Sequence, residues 1–157
     1  MLRVNGNLYR GNLQLVVTGQ GRINAVNVVD IEEYLYGVVP KEMPPNWPDE
    51  ALKAQAVVSR TFALYQKSVN AARDHDIRAP PASQVYGGVA AEAERARRAV
   101  DTTRGRFLTF NGRVALAYFH ANSGGMTEDA RYVWRVGIPY LQSIPDEPST
   151  RAPGAAW

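Results

Sequence analysis

Residues 49–65, Asp49-Glu50-Ala51-Leu52-Lys53-Ala54-Gln55-Ala56-Val57-Val58-Ser59-Arg60-Thr61-Phe62-Ala63-Leu64-Tyr65, decide the fold. Leu52, Ala56, Ser59 and Ala63 recur at helical spacing on one face, and Val57, Val58, Phe62 and Tyr65 cover much of the rest. Asp49 and Glu50 stand in the first turn, where negative charge meets the positive end of the helix dipole. The pattern predicts a helix from Asp49 to about Arg73. A helix apolar nearly all round is buried on most sides, so this one is the expected spine of the domain. Lys53, Gln55 and Arg60 are its polar exceptions. An arginine on so apolar a helix is seldom buried without a partner. Lys53 and Arg60 share a face two turns apart and can both point at one cleft; equally, each can pair structurally or reach out to solvent.

Before this helix, Leu8–Val17 and Arg22–Val29 alternate or are β-branched around Gly19–Gly21, which predicts a β-hairpin. Asp30 is a good N-cap with Glu33 three residues on, so a short helix should run from Ile31 to about Val38. Pro40, Pro44, Pro45 and Pro48 then predict a stiff loop holding Val38-Val39-Pro40-Lys41-Glu42-Met43-Pro44. After the spine come a loop at Asp74–Ala82, the tract Ser83–Gly88, and a helix over Ala90–Thr103 that Gly105 closes. Phe107–Phe110 and Val114–Phe119 flank Asn111-Gly112, a strong two-residue hairpin signal. The strand then runs into a small-residue loop, His120-Ala121-Asn122-Ser123-Gly124-Gly125-Met126-Thr127. Strand pair, helices, strand pair is the order of an α+β fold: two β-hairpins packed around a long buried central helix plus shorter helices.

Composition narrows the class. The 157 residues are 45% apolar and 21% charged, which suits one soluble globular domain spanning 1–157. No stretch approaches the ~20 apolar residues of a membrane span, and no membrane contact is expected. The tail 151–157 reads as a cut inside a longer chain, so an export signal can lie outside this fragment. A net charge of +3 suits a polyanionic partner without choosing one. Arg95, Arg97 and Arg98 follow Glu92 and Glu94 and precede Arg104 and Arg106, the arrangement of a solvated helix face. Without a basic stripe or a stacking platform, a nucleic-acid partner is not expected. The absence of cysteine removes disulfides, thiol nucleophiles and thiolate metal sites.

Glu42 is the candidate for chemistry. A proline-clamped loop restricts its backbone and can hold one carboxyl in a fixed direction near Trp47, the setting a general acid needs. The competing reading is an exposed glutamate that solvates a turn. The Ser123-Gly124-Gly125-Met126-Thr127 loop can offer backbone N–H groups to a ligand, because glycine lets the main chain approach closely. His120 and Ser123 do not make a hydrolase triad, since no nucleophile elbow is present. There is no phosphate loop and no metal-type spacing. His75 between Asp74 and Asp76 makes a poor metal site, so no metal or cofactor is expected.

Four tracts together resemble the SpoIID/LytB domain family of stage II sporulation protein D and the amidase enhancers. They are Tyr34-Leu35-Tyr36-Gly37-Val38-Val39-Pro40-Lys41-Glu42-Met43-Pro44 with Trp47-Pro48, then Glu50 through Thr61, then Ser83-Gln84-Val85-Tyr86-Gly87-Gly88, and last Phe119-His120 through Thr127. The resemblance covers roughly residues 25–146, in the family's order. It implies an exported cell-envelope protein that binds peptidoglycan glycan strands. In the sporulation branch it implies a lytic transglycosylase that cuts between N-acetylmuramic acid and N-acetylglucosamine, on strands stripped of stem peptides, and leaves 1,6-anhydro ends. In the enhancer branch it implies a non-catalytic module with an amidase as partner. Carried across, the catalytic glutamate is Glu42. Lys53, Gln55, Arg60, Gln84, Tyr86, His120, Ser123, Gly124, Gly125 and Thr127 are expected to line the glycan cleft. The structural zinc of some members does not carry over, because the loop at Asp74–Ala82 has no cysteine.

Overall fold

The computed structural model describes residues 1–19, 21–78 and 84–151. Ser83 and part of the loop at Asp74–Ala82 lie outside the described residues. The chain forms two compact units, Met1–Tyr118 and Phe119–Trp157.

Among the described residues the first unit is built on three α-helices: α1 (Ile31–Glu42), α2 (Asp49–Val69) and α3 (Glu94–Thr102). Leu35, Val38, Val39, Leu52, Ala56, Ala96 and Val100 have no exposed surface, so the core sits where these helices meet. On α2 the buried positions are Leu52, Gln55, Ala56, Ser59, Arg60, Thr61 and Ala63. Their spacing of three and four residues is that of a helix packed along one broad face. Small side chains at Ala56, Ala96 and Ala99 let the helices approach closely. Asp30 caps α1 as expected, its Oδ1 accepting from the Glu32 amide at 2.9 Å. Glu33 instead pairs with Arg10, Nη1 to Oε1, at 3.4 Å.

Among the described residues the strands form three separate two-stranded antiparallel ladders, giving the expected α+β class. In the first unit β1 (Leu2–Val4) pairs with β2 (Asn7–Tyr9), and β3 (Asn12–Val17) with β4 (Ile23–Val28). The third ladder, β5 (Thr109–Phe110) with β6 (Arg113–Val114), turns on Asn111 and Gly112 at φ of 50° and 74°. Positive φ at both central residues is what a tight hairpin turn requires.

In the second unit a short helix α4 (Ala130–Trp134) is capped by Asp129, whose Oδ1 accepts from the Arg131 amide at 2.8 Å. An isolated bridge joins Met126 to Pro145. Among the described residues no helix is long and apolar enough to cross a membrane.

Candidate active site

Glu42 is not in a loop. Helix α1 continues through Pro40 and ends on Glu42, with Met43 as its C-cap. Proline lacks an N–H, so Pro40 forgoes only the bond to the Tyr36 carbonyl. That loss falls in the last turn, and the Met43 amide still closes on Val39 O at 3.0 Å. The rigidity expected from prolines therefore comes chiefly from the helix. Pro44, Pro45 and Pro48 stiffen only the short link to α2.

A second element crosses α1 and holds Glu42. Residues 84–88 form a strap without regular secondary structure that bonds to the helix at two points. The Val85 amide donates to Glu42 Oε1 at 2.8 Å, and the Gly87 amide donates to Gly37 O at 3.0 Å. Gly37 makes this possible. A Cβ there would lie 2.7 Å from Tyr86 Cε2 and 2.9 Å from Gly88 O. Glu42 is half-buried, and its Oε2 has no hydrogen-bond partner among the described residues. One carboxyl oxygen is thus anchored, and the other is unpaired among the described residues.

Tyr34 lies two turns below Glu42 on the same face of α1. Burial, then the negative charge of Glu42, then Tyr86 hold its hydroxyl well above the ordinary tyrosine range, so it remains a neutral donor. It donates to Gln84 Oε1 at 3.3 Å, and Gln84 Nε2 donates to Ser59 O at 3.3 Å. Gln55 Nε2 donates to Ser59 Oγ at 3.0 Å. Gln55 and Gln84 are both buried, so they support the site from within the core. The Tyr86 ring packs on Tyr34 and Tyr9, with centroids 5.0 and 5.8 Å away.

The two cations expected at the cleft go elsewhere. Arg60 is 1% exposed and faces the core. Its Nε and Nη2 donate to Glu32 at 3.0 and 2.6 Å, and its remaining N–H groups reach Val100 O, Arg106 O and Ala56 O. All five donors are used within the fold, which a buried guanidinium requires. Lys53 pairs with Glu50 at 2.6 Å and lines a hollow of about 320 Å³ between α2 and α3 with Asp49, Arg95 and Arg98. Glu42 is not among the residues lining it.

In the second unit, His120 is exposed. The Gly-Gly loop does not offer free amides as expected: Gly124 N–H goes to Asn122 Oδ1 at 2.7 Å and Gly125 N–H to Ser149 Oγ at 2.7 Å. Glycine here serves positive φ values of 67° and 109°. Ser123 Oγ donates to Asp146 Oδ2 at 2.7 Å, and Thr127 Oγ1 accepts from the Ile144 amide at 2.9 Å. These polar groups close their own loop.

The structure therefore ties Glu42 to the strap that carries Gln84 and Tyr86 on either side of Val85, and Gln84 and Gln55 both bond to Ser59. Tyr34, Gly37 and the Val85 amide complete the arrangement and were not singled out from sequence. The signal was their spacing: Tyr34, Val38 and Glu42 fall four residues apart once α1 is read through Pro40. Chemically, this is a carboxyl group fixed at a helix end through one of its oxygens.

A family model described as SpoIID, stage II sporulation protein, matches residues 19–110. The chain is 40% identical over 142 residues to an uncharacterised protein of Brachyspira hyodysenteriae, covering 90% of this chain and 38% of that protein. It is 36% identical over 123 residues to the amidase enhancer of Bacillus subtilis, covering 78% of this chain and 16% of that protein. With stage II sporulation protein D of Bacillus subtilis it shares 35% identity over 139 residues, covering 76% of this chain and 39% of that protein. The chain spans well under half the length of these relatives.

Proposed function

The chain belongs to the SpoIID family, and on that premise we propose that it is a cell-envelope lytic transglycosylase with Glu42 as its single acid/base. The observation that carries this reading is the asymmetric fixing of Glu42. Oε1 accepts from the Val85 amide at 2.8 Å while Oε2 is unpartnered among the described residues. In the protonated form the proton sits on Oε2, because Oε1 is already committed as an acceptor. That oxygen hands the proton to the glycosidic oxygen as the C1–O bond breaks. The muramic acid C6 oxygen then closes on C1, and its hydroxyl proton returns to the Glu42 carboxylate. The bond lost and the bond formed balance, no water is consumed, and the residue ends as it began. The neutral Tyr34–Gln84–Ser59 chain keeps the strap in register behind the carboxyl.

The amidase enhancer among the relatives favours a second reading, in which the chain binds wall glycan and stimulates an amidase without cutting. Both readings place the protein at peptidoglycan in the cell envelope. Digestion of purified, peptide-free glycan strands separates them. Release of anhydro-ended fragments supports the enzyme, and intact strands with a folded protein support the enhancer.

A further inference from the structure

Lys41 stands next to Glu42 in the last turn of α1, where the helix dipole favours a cation whatever it touches. Its stem nevertheless makes a particular contact. A Cβ added at Gly87 would lie 3.2 and 3.3 Å from Lys41 Cγ and Cδ, so the bare glycine leaves room for the methylene stem against the strap. The Gly87 amide bonds to Gly37 O, one helical turn before Lys41. The strap thus meets the Glu42 carboxyl at Val85, and Gly37 and the Lys41 stem at Gly87. Two residues of chain span at most about 7 Å. Stem and carboxyl are therefore held close enough to serve one sugar unit.

The head of Lys41 is in a different condition from its stem. The residue is exposed, and its ammonium makes no hydrogen bond or ion pair among the described residues. Lys53 and Arg95, by contrast, are paired with Glu50 and Asp49. An ammonium has three donors and no acceptor, so what it takes is an anionic group.

A glycan strand offers one such group on the right ring. Muramic acid carries a lactyl ether at C3. Its carboxyl is an uncharged amide while a stem peptide is attached, and a carboxylate once the peptide is gone. That ring is the one whose C1–O bond Glu42 would protonate.

We propose that the Lys41 ammonium binds the lactyl carboxylate of the muramic acid unit at the scissile bond, and so makes this chain favour strands without stem peptides. The proposal rests on the peptidoglycan reading above, and adds to it a residue that reads the substrate's charge.

The test compares peptide-free strands with the same strands whose lactyl carboxylates have been converted to methylamides. The wild type should cleave the carboxylate form with a kcat/KM about fivefold higher, the size of one exposed ion pair. The difference should lie in KM rather than kcat and shrink with added salt. Lys41→Met keeps an apolar stem on Gly87 without the charge, and should bring the ratio to about one. Lys41→Arg should keep the preference. Lys67→Met removes the same charge from the last turn of α2 and should also keep it. A wild type indifferent to the carboxylate, or a Lys41→Met protein that retains the preference, overturns the proposal. So does an equal loss in Lys67→Met, which would trace the effect to net charge. If no strand is cut, cosedimentation with the two kinds of strand makes the same comparison. A binding preference lost in Lys41→Met would then uphold the role of Lys41 while the transglycosylase reading fell. Cleavage of both kinds at equal KM would do the reverse.

Discussion

The Val85 amide donates to Glu42 Oε1 at 2.8 Å, tying a strap to the last residue of a helix 43 positions earlier in the chain. A backbone donor has no rotamer to lose, so the only side-chain freedom spent on this bond is that of Glu42 itself. Glu42→Gln keeps the volume and the accepting oxygen, so the fold and the bond to Val85 should survive. It cannot cycle a proton, and glycan cleavage should fall at least ~10²-fold. Fragment release measured beside far-ultraviolet circular dichroism checks this; near-normal turnover by a folded variant would refute the role.

Gly37 governs the same geometry from the other end of the strap. In a helix, Gly→Ala ordinarily stabilises by ~1 kcal/mol. Here the added Cβ would meet Tyr86 at 2.7 Å and the Gly88 carbonyl at 2.9 Å. Tyr86 can turn aside, but the Gly88 backbone can move only by lifting the strap, and the Val85 amide moves with it. Gly37→Ala should cut turnover on the order of 10²-fold through this misplacement, while the melting temperature changes little. A variant with unchanged rate would show that the strap does not position the carboxyl.

The contrast between helix and loop readings of Glu42 shows what a sequence makes legible. Apolar spacing over Leu52–Ala63 located the core helix, because burial imposes a period that composition alone displays. Asn111-Gly112 located a hairpin, because positive φ restricts the residues that can turn there. Asn5-Gly6 carries the same signal, with φ of 48° and 84°, and reading a strand from Leu8 passes over it. Pro40 misled in the other direction: a proline in a last turn forgoes one bond that tertiary packing outweighs. The fates of Arg60 and the Gly-Gly amides were not legible. Arg60 depends on Glu32 and the Gly125 amide on Ser149, both distant in sequence, while the Gly124 amide turns back to the nearby Asn122.

Arg60 and Glu32 form an ion pair at 2.6 Å with side chains 1% and 5% exposed. The Gly105 amide also donates to Glu32 Oε1, at 3.1 Å. Removing one partner strands a buried charge and typically costs about 3–5 kcal/mol. Arg60→Met and Glu32→Leu should each destabilise on that scale. The double substitution should cost markedly less than their sum, because it leaves no unpaired charge. Urea denaturation of the three variants measures this. Additive losses would mean that the two residues do not act as a pair.

Asp49 sets a pH signature. The Arg95 guanidinium, which donates to its Oδ1 at 2.6 Å, holds this carboxyl below the ordinary aspartate range. A depressed folded value means that the pair's stabilisation is present above the unfolded value, near 3.9. It is lost as pH falls through the folded one. Asp49→Asn should therefore narrow its stability gap to the wild type as pH drops below about 4, and the gap should shrink with salt because the pair is exposed. Melting temperatures across pH 3–7 at two salt concentrations test the sign; a gap that widens on acidification would contradict it.

The product of glycan cleavage follows from the number of carboxyls at the site. Hydrolysis needs two, roughly 5–5.5 Å apart for retention or 6.5–9.5 Å for inversion. Glu42 accepts an amide N–H from the strap, and the neutral Tyr34 that feels its charge is bonded to Gln84. The acids nearest in sequence are otherwise engaged: Asp49 binds Arg95, and Glu50 pairs with Lys53. Among the described residues of the first unit, none of the groups just named is a second carboxylate that could activate a water or trap C1. The substrate's own C6 hydroxyl needs neither, because it is tethered to the ring it attacks and its proton returns to Glu42. The expected fragments end in 1,6-anhydro-muramic acid, each one water lighter than the hydrolysis product. Mass spectrometry of a digest of peptide-free strands reads this directly. Fragments with reducing ends would place a second carboxyl at the bond and overturn the single-glutamate mechanism, even if Glu42→Gln were inactive.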